Sequence, residues 1–324
     1  MKSINTKLIL GNVLVVIFCV LLISIPVVII QYNNQKETTI STAEMTVTQG
    51  YTRINLFLQE PITMVESAYH YLSTNEFEQN LVENLFEHIL RNKNTYSELY
   101  FGSVLPYKDG GFFYANDRWT PPADYDQTTR AWFRAGQQAT NGNFSISDPY
   151  LDSVTNSMVA ALASGITKGT RFEGVVALDV QLKDLNDIVS PIKISKSGKS
   201  FLLDKNGNYV TNSDSSKLMN SNFFTEYNLT NLKSQITENA VYFTDNAGKG
   251  QYFAARMISK ESGWIFVTIG PKSELYSVVF KNIFTIIILA VISLVVSAIV
   301  AAFLSRSIVA PVLTVNKTIN GIAN

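Results

Sequence analysis

Two uninterrupted apolar segments, Leu8 to Ile30 and Ile283 to Leu304, constrain this 324-residue chain more than any other feature. Each holds roughly the 20 residues needed to cross about 30 Å of hydrocarbon, so both are expected to be transmembrane helices. The first is longer than the apolar region of a signal peptide and no small-residue cleavage motif follows it, which predicts a retained anchor. Lys2 and Lys7 precede the first span, and Arg306 and Lys317 follow the second. Basic flanks stay in the cytoplasm, so the roughly 250 residues between the spans are expected outside the cell membrane.

Composition removes several function classes. The 26 basic and 26 acidic residues cancel, which gives no polyanion-binding face and no expectation of nucleic acid as a partner. The single cysteine, Cys19, lies inside the first span. An exported domain built from the rest contains no disulfide and needs a real core. The two histidines, His70 and His88, are 18 positions apart in a helical stretch and cannot share a metal ion. No metal site and no cofactor is expected. No Gly-x-Ser-x-Gly elbow, Walker loop or paired-histidine motif is present, so no catalytic residues are assigned and the chain is not expected to be an enzyme.

From Gln31 to about Lys93 apolar residues recur at helical spacing through Ile54, Phe57, Leu58, Met64, Val65, Ala68, Tyr69 and Leu72. This predicts a stalk helix over 31–95, broken or bent near Pro61 and near Asn75 and resuming through Phe77 to Leu90. Beyond Tyr96 the pattern turns to short β-type runs between Gly, Asp and Asn turns. Leu99 to Leu105 and Gly111 to Ala115 flank a hairpin turn at Lys108-Asp109-Gly110-Gly111. Ser157 to Thr167 and Arg171 to Leu182 form a second hairpin, followed by a helical connector from Leu185 to Val189. A second unit opens with Lys199 to Asp204, turns at Asn206-Gly207 and continues through Asn208 to Thr211. It closes with Val241 to Thr244, Gln251 to Ile258 and Trp264 to Ile269. The expected class is α+β, with two αβ modules, 96–190 and 191–278, on one stalk helix between a span at 8–30 and another at 283–304. Residues 1–7 are expected in the cytoplasm.

Tyr125, Arg130 and Trp132 fall within eight residues, Tyr150 and Asp152 follow about twenty later, and Asp179 sits in the next long strand. Together they offer one cation, two carboxylates and aromatic walls. Taken singly, Arg130 suits a surface ion pair with Asp126, Trp132 and Tyr150 suit a core, and either aspartate suits a turn or cap.

Four segments carry a resemblance. Gly198-Lys-Ser-Phe-Leu-Leu-Asp-Lys-Asn-Gly207 and Gly263-Trp-Ile-Phe-Val, in the second unit, resemble the opening and last strand of a Cache module, and Gly174-Val-Val-Ala-Leu-Asp-Val resembles the strand that ends the membrane-distal one. Ser305-Arg-Ser-Ile-Val-Ala-Pro311 resembles the start of a HAMP signalling helix. In this order, between two spans, they resemble the double Cache sensors of bacterial methyl-accepting chemotaxis receptors and sensor kinases, whose modules are PAS-like. The resemblance implies a multi-pass protein of the bacterial cell membrane, a homodimer, with a cytoplasmic signalling domain or kinase complex as partner.

Amino-acid-binding members share a Tyr, an Arg five later, a Trp two beyond, a Tyr-x-Asp and a final Asp. The six positions correspond to Tyr125, Arg130, Trp132, Tyr150, Asp152 and Asp179, with Ala131 where the family often has proline and Phe133 where tyrosine is common. The ligand so implied is an L-amino acid in the membrane-distal module, its carboxylate on the Arg130 fork and its ammonium between the aspartates. A histidine kinase or cyclase output, and a ligand that is an amine or an organic acid, are the alternatives.

Overall fold

The computed structural model describes residues 4–91, 96–260, 262–304 and 307. The HAMP-like segment expected at 305–324 therefore lies outside the described residues, Ser307 apart. Two compact units are present: one combines residues 1–40 with 273–324, and the other comprises Ser41–Lys272.

Helix α1 runs unbroken over Ile4–Thr74, followed by α2, Gln79–Ile89. The break expected at Pro61 does not occur. Pro61 removes one intrahelical donor, but it lies on a buried stripe with Leu58, Met64, Val65, Ala68 and Leu72. Packing along that stripe outweighs one lost hydrogen bond. The break after Thr74 is where expected: the Asn75 side-chain amide donates to the Tyr71 carbonyl and closes the helix end.

Between 96 and 181 six strands form one antiparallel sheet. They are β1 (Tyr96–Ser103), β2 (Phe113–Ala115), β3 (Ser145–Ile146), β4 (Tyr150–Leu151), β5 (Met158–Lys168) and β6 (Arg171–Gln181), with α3 (Ala131–Gln138) between β2 and β3. The order is β2-β1-β6-β5-β3, and β4 also pairs with β5. Period-two alternation sorts β1 between two layers. Leu99 and Phe101 are fully buried, and Phe101 stacks on Phe77 at 4.9 Å. Tyr100 faces the other way, into a cluster of Phe113, Trp132, Phe133, Ala161, Ala163 and Ala177. The alanines on that face of β5 and β6 leave room for rings and for α3. Gly136 shows how close the helix lies, since a Cβ there would fall 2.2 Å from Val175 Cγ1.

After α4 (Leu182–Val189), a four-stranded sheet in the order β7-β10-β9-β8 is built from β7 (Lys199–Leu203), β8 (Tyr242–Thr244), β9 (Gln251–Met257) and β10 (Ile265–Pro271), with the short helix α5, Phe223–Glu226, between β7 and β8. The strand expected over Asn208 to Thr211 is absent. Asp204 accepts from the Asn206 and Asn208 amides and ties the turn, and Thr211 Oγ1 accepts from the Leu202 amide in place of a ladder partner. Only isolated bridges remain there. Phe201, Tyr209, Phe223, Phe253 and Val267 fill the core of this sheet.

Helix α1 also presses on this sheet, where a Cβ on Gly50 would fall 2.4 Å from the Phe266 ring. Gly50→Val is expected to cost about 1–3 kcal/mol through overpacking. Thermal unfolding of the detergent-solubilised chain would show it, and an unchanged midpoint would contradict so close an approach.

Helices α6 (Lys272–Leu275) and α7 (Ser277–Leu304) follow β10. Stretches of α1 and α7 are long and apolar enough to cross a membrane. Leu14, Phe18, Leu22 and Ile25 on one, and Phe284, Ile288, Val291 and Phe303 on the other, are exposed rather than packed, which suits lipid as their solvent. Within this unit Tyr32 and Tyr276 stack at 5.3 Å.

Candidate functional site

Arg130 is the residue before the first turn of α3, held in extended backbone at φ −79° and ψ 151°. What holds it is a turn anchored by Gln127, which is fully buried. The Gln127 amide nitrogen donates to the carbonyls of Ser103 and Leu105, both at 2.7 Å, and its oxygen accepts from the Tyr107 amide at 2.8 Å. Asp126 is engaged elsewhere: it caps Thr128 and pairs with Lys108 at 2.8 Å. The Asp126 ion pair open to Arg130 in the sequence is thus not formed. Arg130 donates to Ser153 Oγ at 3.0 Å, lies 5.8 Å from the Tyr150 ring centre, and has no carboxylate partner among the described residues.

All six residues singled out in the sequence line one small cavity, of about 20 Å³, together with Glu98, Tyr100, Phe113 and Trp119. Asp179 stands on β6 directly opposite Ala161 of β5 and is 1% exposed. Its Oδ1 accepts from the hydroxyls of Tyr100 at 2.7 Å and Tyr150 at 2.6 Å. Burial pushes the Asp179 carboxyl up to about 7. The two hydroxyls and the Arg130 charge oppose that rise, and Asp152 adds to it. The same burial, with Asp179 alongside, holds both phenols well above their usual range. Asp152 caps the turn after β4, accepting from the amides of Val154 and Thr155 and from the Thr155 hydroxyl. It is a turn residue and a cavity-lining residue at once.

Trp132 is 2% exposed and packs edge-on against Tyr100 at 4.9 Å. Tyr125 is half-buried, and burial raises its phenol to about 12 against the lowering effects of Arg130 and the Trp132 indole N–H.

Sequence reasoning missed Glu98, Tyr100 and Gln127. Tyr100 and Glu98 share a face of β1 by period two, a signal present in the sequence. The β1–β6 register shift between Tyr96 and Leu99, beside Glu98, carries no signal there. Oxygens of Glu98, Asp152 and Asp179 lie within 4.8 Å of one another, and all three residues are buried. Burial, with the charges of Asp117, Asp179 and Asp152, pushes Glu98 up to about 9. The site is therefore acid-rich, with one cation at its edge.

The profile of the Cache domain, dCache_1, matches residues 27–279. The chain belongs to the Cache domain family. Among curated relatives, methyl-accepting chemotaxis protein McpG of Pseudomonas putida is 29% identical over 44% of this chain, and McpB of Bacillus subtilis is 31% identical over 32%. The matched stretches are 23% and 15% of those proteins' own lengths, so the chain spans under a quarter of each. Among solved structures, the ligand-binding domain of Pseudomonas fluorescens chemoreceptor CtaA in complex with L-isoleucine aligns at TM-score 0.61 and 19% identity, covering 76% of this chain and 98% of that one. The ligand-binding domain of Pseudomonas aeruginosa PctB in complex with L-Arg aligns at 0.57 and 20%, covering 74% and 96%. These likenesses establish a Cache fold.

Proposed function

We propose that this Cache chain is the sensor region of a transmembrane chemoreceptor that binds an L-amino acid among Tyr125, Arg130, Trp132, Tyr150, Asp152 and Asp179. The observation that carries the reading is the placing of unlike charges across one small cavity, Arg130 facing Asp152 and Asp179, none of the three with an ion-pair partner among the described residues. An α-amino acid supplies the missing half of each pair from adjacent atoms. The structures in complex with L-isoleucine and L-Arg support a ligand of this class.

In this reading residues 96–190 are the membrane-distal, ligand-binding module and 191–278 the proximal one. The chain is a homodimer in the cell membrane with its sensor outside, the stalk helix being the contact. Ligand closure passes along the chain from β10 into α7 and biases a cytoplasmic signalling domain between two packings. The ligand-binding role requires no enzyme chemistry.

The test is a thermal-shift panel on the detergent-solubilised chain with the twenty L-amino acids, simple amines and organic acids. A ligand at 100 times its dissociation constant adds about 2.7 kcal/mol, an easily read shift. A response to amino acids supports the reading, and a response to amines or organic acids alone contradicts it.

The raised Asp179 carboxyl sets a pH dependence. Below about 7 a proton occupies the group that the ammonium requires ionised, so affinity is gained as pH rises. Calorimetric titration is expected to give binding about tenfold weaker at pH 6 than at pH 8, the ratio of ionised fractions for such a group. A flat profile would contradict ammonium capture by Asp179.

A further inference from the structure

Glu98 stands outside the six-residue pattern, yet it lines the same cavity. It is 7% exposed, and its Oε1 has no hydrogen-bond partner among the described residues. A buried acceptor with nothing to accept from is costly to keep unless something arrives to fill it. Its neighbours across the cavity, Asp152 and Asp179, place carboxylate oxygens within 4.8 Å of it and of each other.

That spacing fits a tetrahedral ammonium. Three oxygens about 2.8 Å from one nitrogen, each on a separate N–H bond, stand roughly 4.6 Å apart. It suits a metal ion less well. Calcium takes about six to eight oxygens, while both Asp152 oxygens already accept from Val154 and Thr155, and the Arg130 cation lines the same cavity. In the ligand-free site burial and neighbouring acids keep Glu98 protonated near neutral pH. Its carbonyl oxygen still accepts in that form, and an entering ammonium is the charge that favours its ionisation.

We propose that Glu98 is a third acceptor for the ligand's ammonium group, so that the site engages all three N–H bonds of a primary ammonium and selects against N-alkylated amines. The inference rests on the amino-acid reading above and names the recognition rule at the ammonium end of that site. An N-methyl amino acid keeps two N–H bonds for Asp152 and Asp179 and turns its methyl group toward Glu98, where nothing compensates the acceptor.

The experiment is calorimetric titration of the detergent-solubilised chain with the twenty L-amino acids, with the N-methyl derivative of the tightest binder, and with calcium chloride. It is repeated on Glu98→Leu and Glu98→Gln. The wild type is expected to bind the N-methyl derivative at least about tenfold more weakly than its parent. Glu98→Leu is expected to weaken the parent about tenfold and leave the N-methyl derivative nearly unchanged, collapsing the ratio. Glu98→Gln, which retains a carbonyl acceptor, falls between, and reports the rule even if the leucine variant does not fold.

Equal weakening of both ligands by Glu98→Leu would overturn the role given to Glu98 and leave the amino-acid reading standing. Calcium binding that competes with the amino acid would assign the three carboxylates to a metal and overturn it too. Failure of every amino acid to bind the wild type would overturn the functional reading and this inference with it.

Discussion

Replacing Arg130 by alanine is expected to reduce amino-acid affinity by roughly thirtyfold or more, with little change in the thermal midpoint of the ligand-free chain. Arg130 is partly exposed, and its one polar contact to a side chain among the described residues is Ser153 Oγ, so its removal leaves no buried group stranded. The ligand carboxylate, by contrast, loses a fork of charge-assisted donors. Truncating one partner of such a pair costs about 2–5 kcal/mol of binding, which is a factor of about thirty or more.

Asp179→Asn makes the complementary case. Its amide oxygen still accepts from Tyr100 and Tyr150, but the charge that faces the ammonium is gone. The native carboxyl titrates near 7, above its unfolded value of about 3.9, so the folded ligand-free chain binds the extra proton. That group's contribution to stability is therefore lost as pH rises through this window. The asparagine variant is expected to bind at least thirtyfold more weakly while unfolding at or above the wild-type temperature at pH 8. Calorimetry and thermal scans on the same samples separate the two effects. A variant that binds normally would place the ligand elsewhere.

Trp132→Ala is expected to have the largest effect on stability. The indole is 2% exposed and lies edge-on to Tyr100, Phe133 and Phe113 at 4.9, 5.4 and 6.2 Å. β1 is shaped to receive it: a Cβ on Gly102 would fall 2.7 Å from the ring. Truncating a buried tryptophan costs about 3–5 kcal/mol, a fall in midpoint on the order of 10 °C for a domain of this size. Binding is expected to fall with it, because Trp132 backs Tyr100, and Tyr100 holds Asp179. Trp132→Phe is expected to recover most of the stability and less of the binding, since it restores the ring contacts but not the indole N–H. Equal recovery of both would show that the N–H has no part in binding.

The elements most visible in the sequence were those with a strong local period. The two apolar runs fall within α1 and α7, and the hairpin expected over Ser157 to Thr167 and Arg171 to Leu182 lies within a residue of β5 and β6. Pro61 and Asn208–Thr211 went the other way because tertiary packing and side-chain hydrogen bonds decide them, and neither leaves a local signature. The six site residues were legible because their chemistry is unusual in combination. Their convergence on one cavity rests on the β5–β6 register, which sets Asp179 opposite Ala161, and on the Gln127 anchor, which joins residues 24 positions apart. Glu98 was missed because an acidic residue in a strand reads as solvent-facing, although its period-two relation to Tyr100 puts it on the inward face.

The most direct test of the central claim is a crystal structure of the chain with the amino acid that gives the largest thermal shift. The account predicts the ligand carboxylate about 3 Å from the Arg130 guanidinium and the ammonium among the carboxylates of Asp152 and Asp179. A ligand seated against the four-stranded sheet of β7 to β10, with Arg130 unengaged, would contradict it.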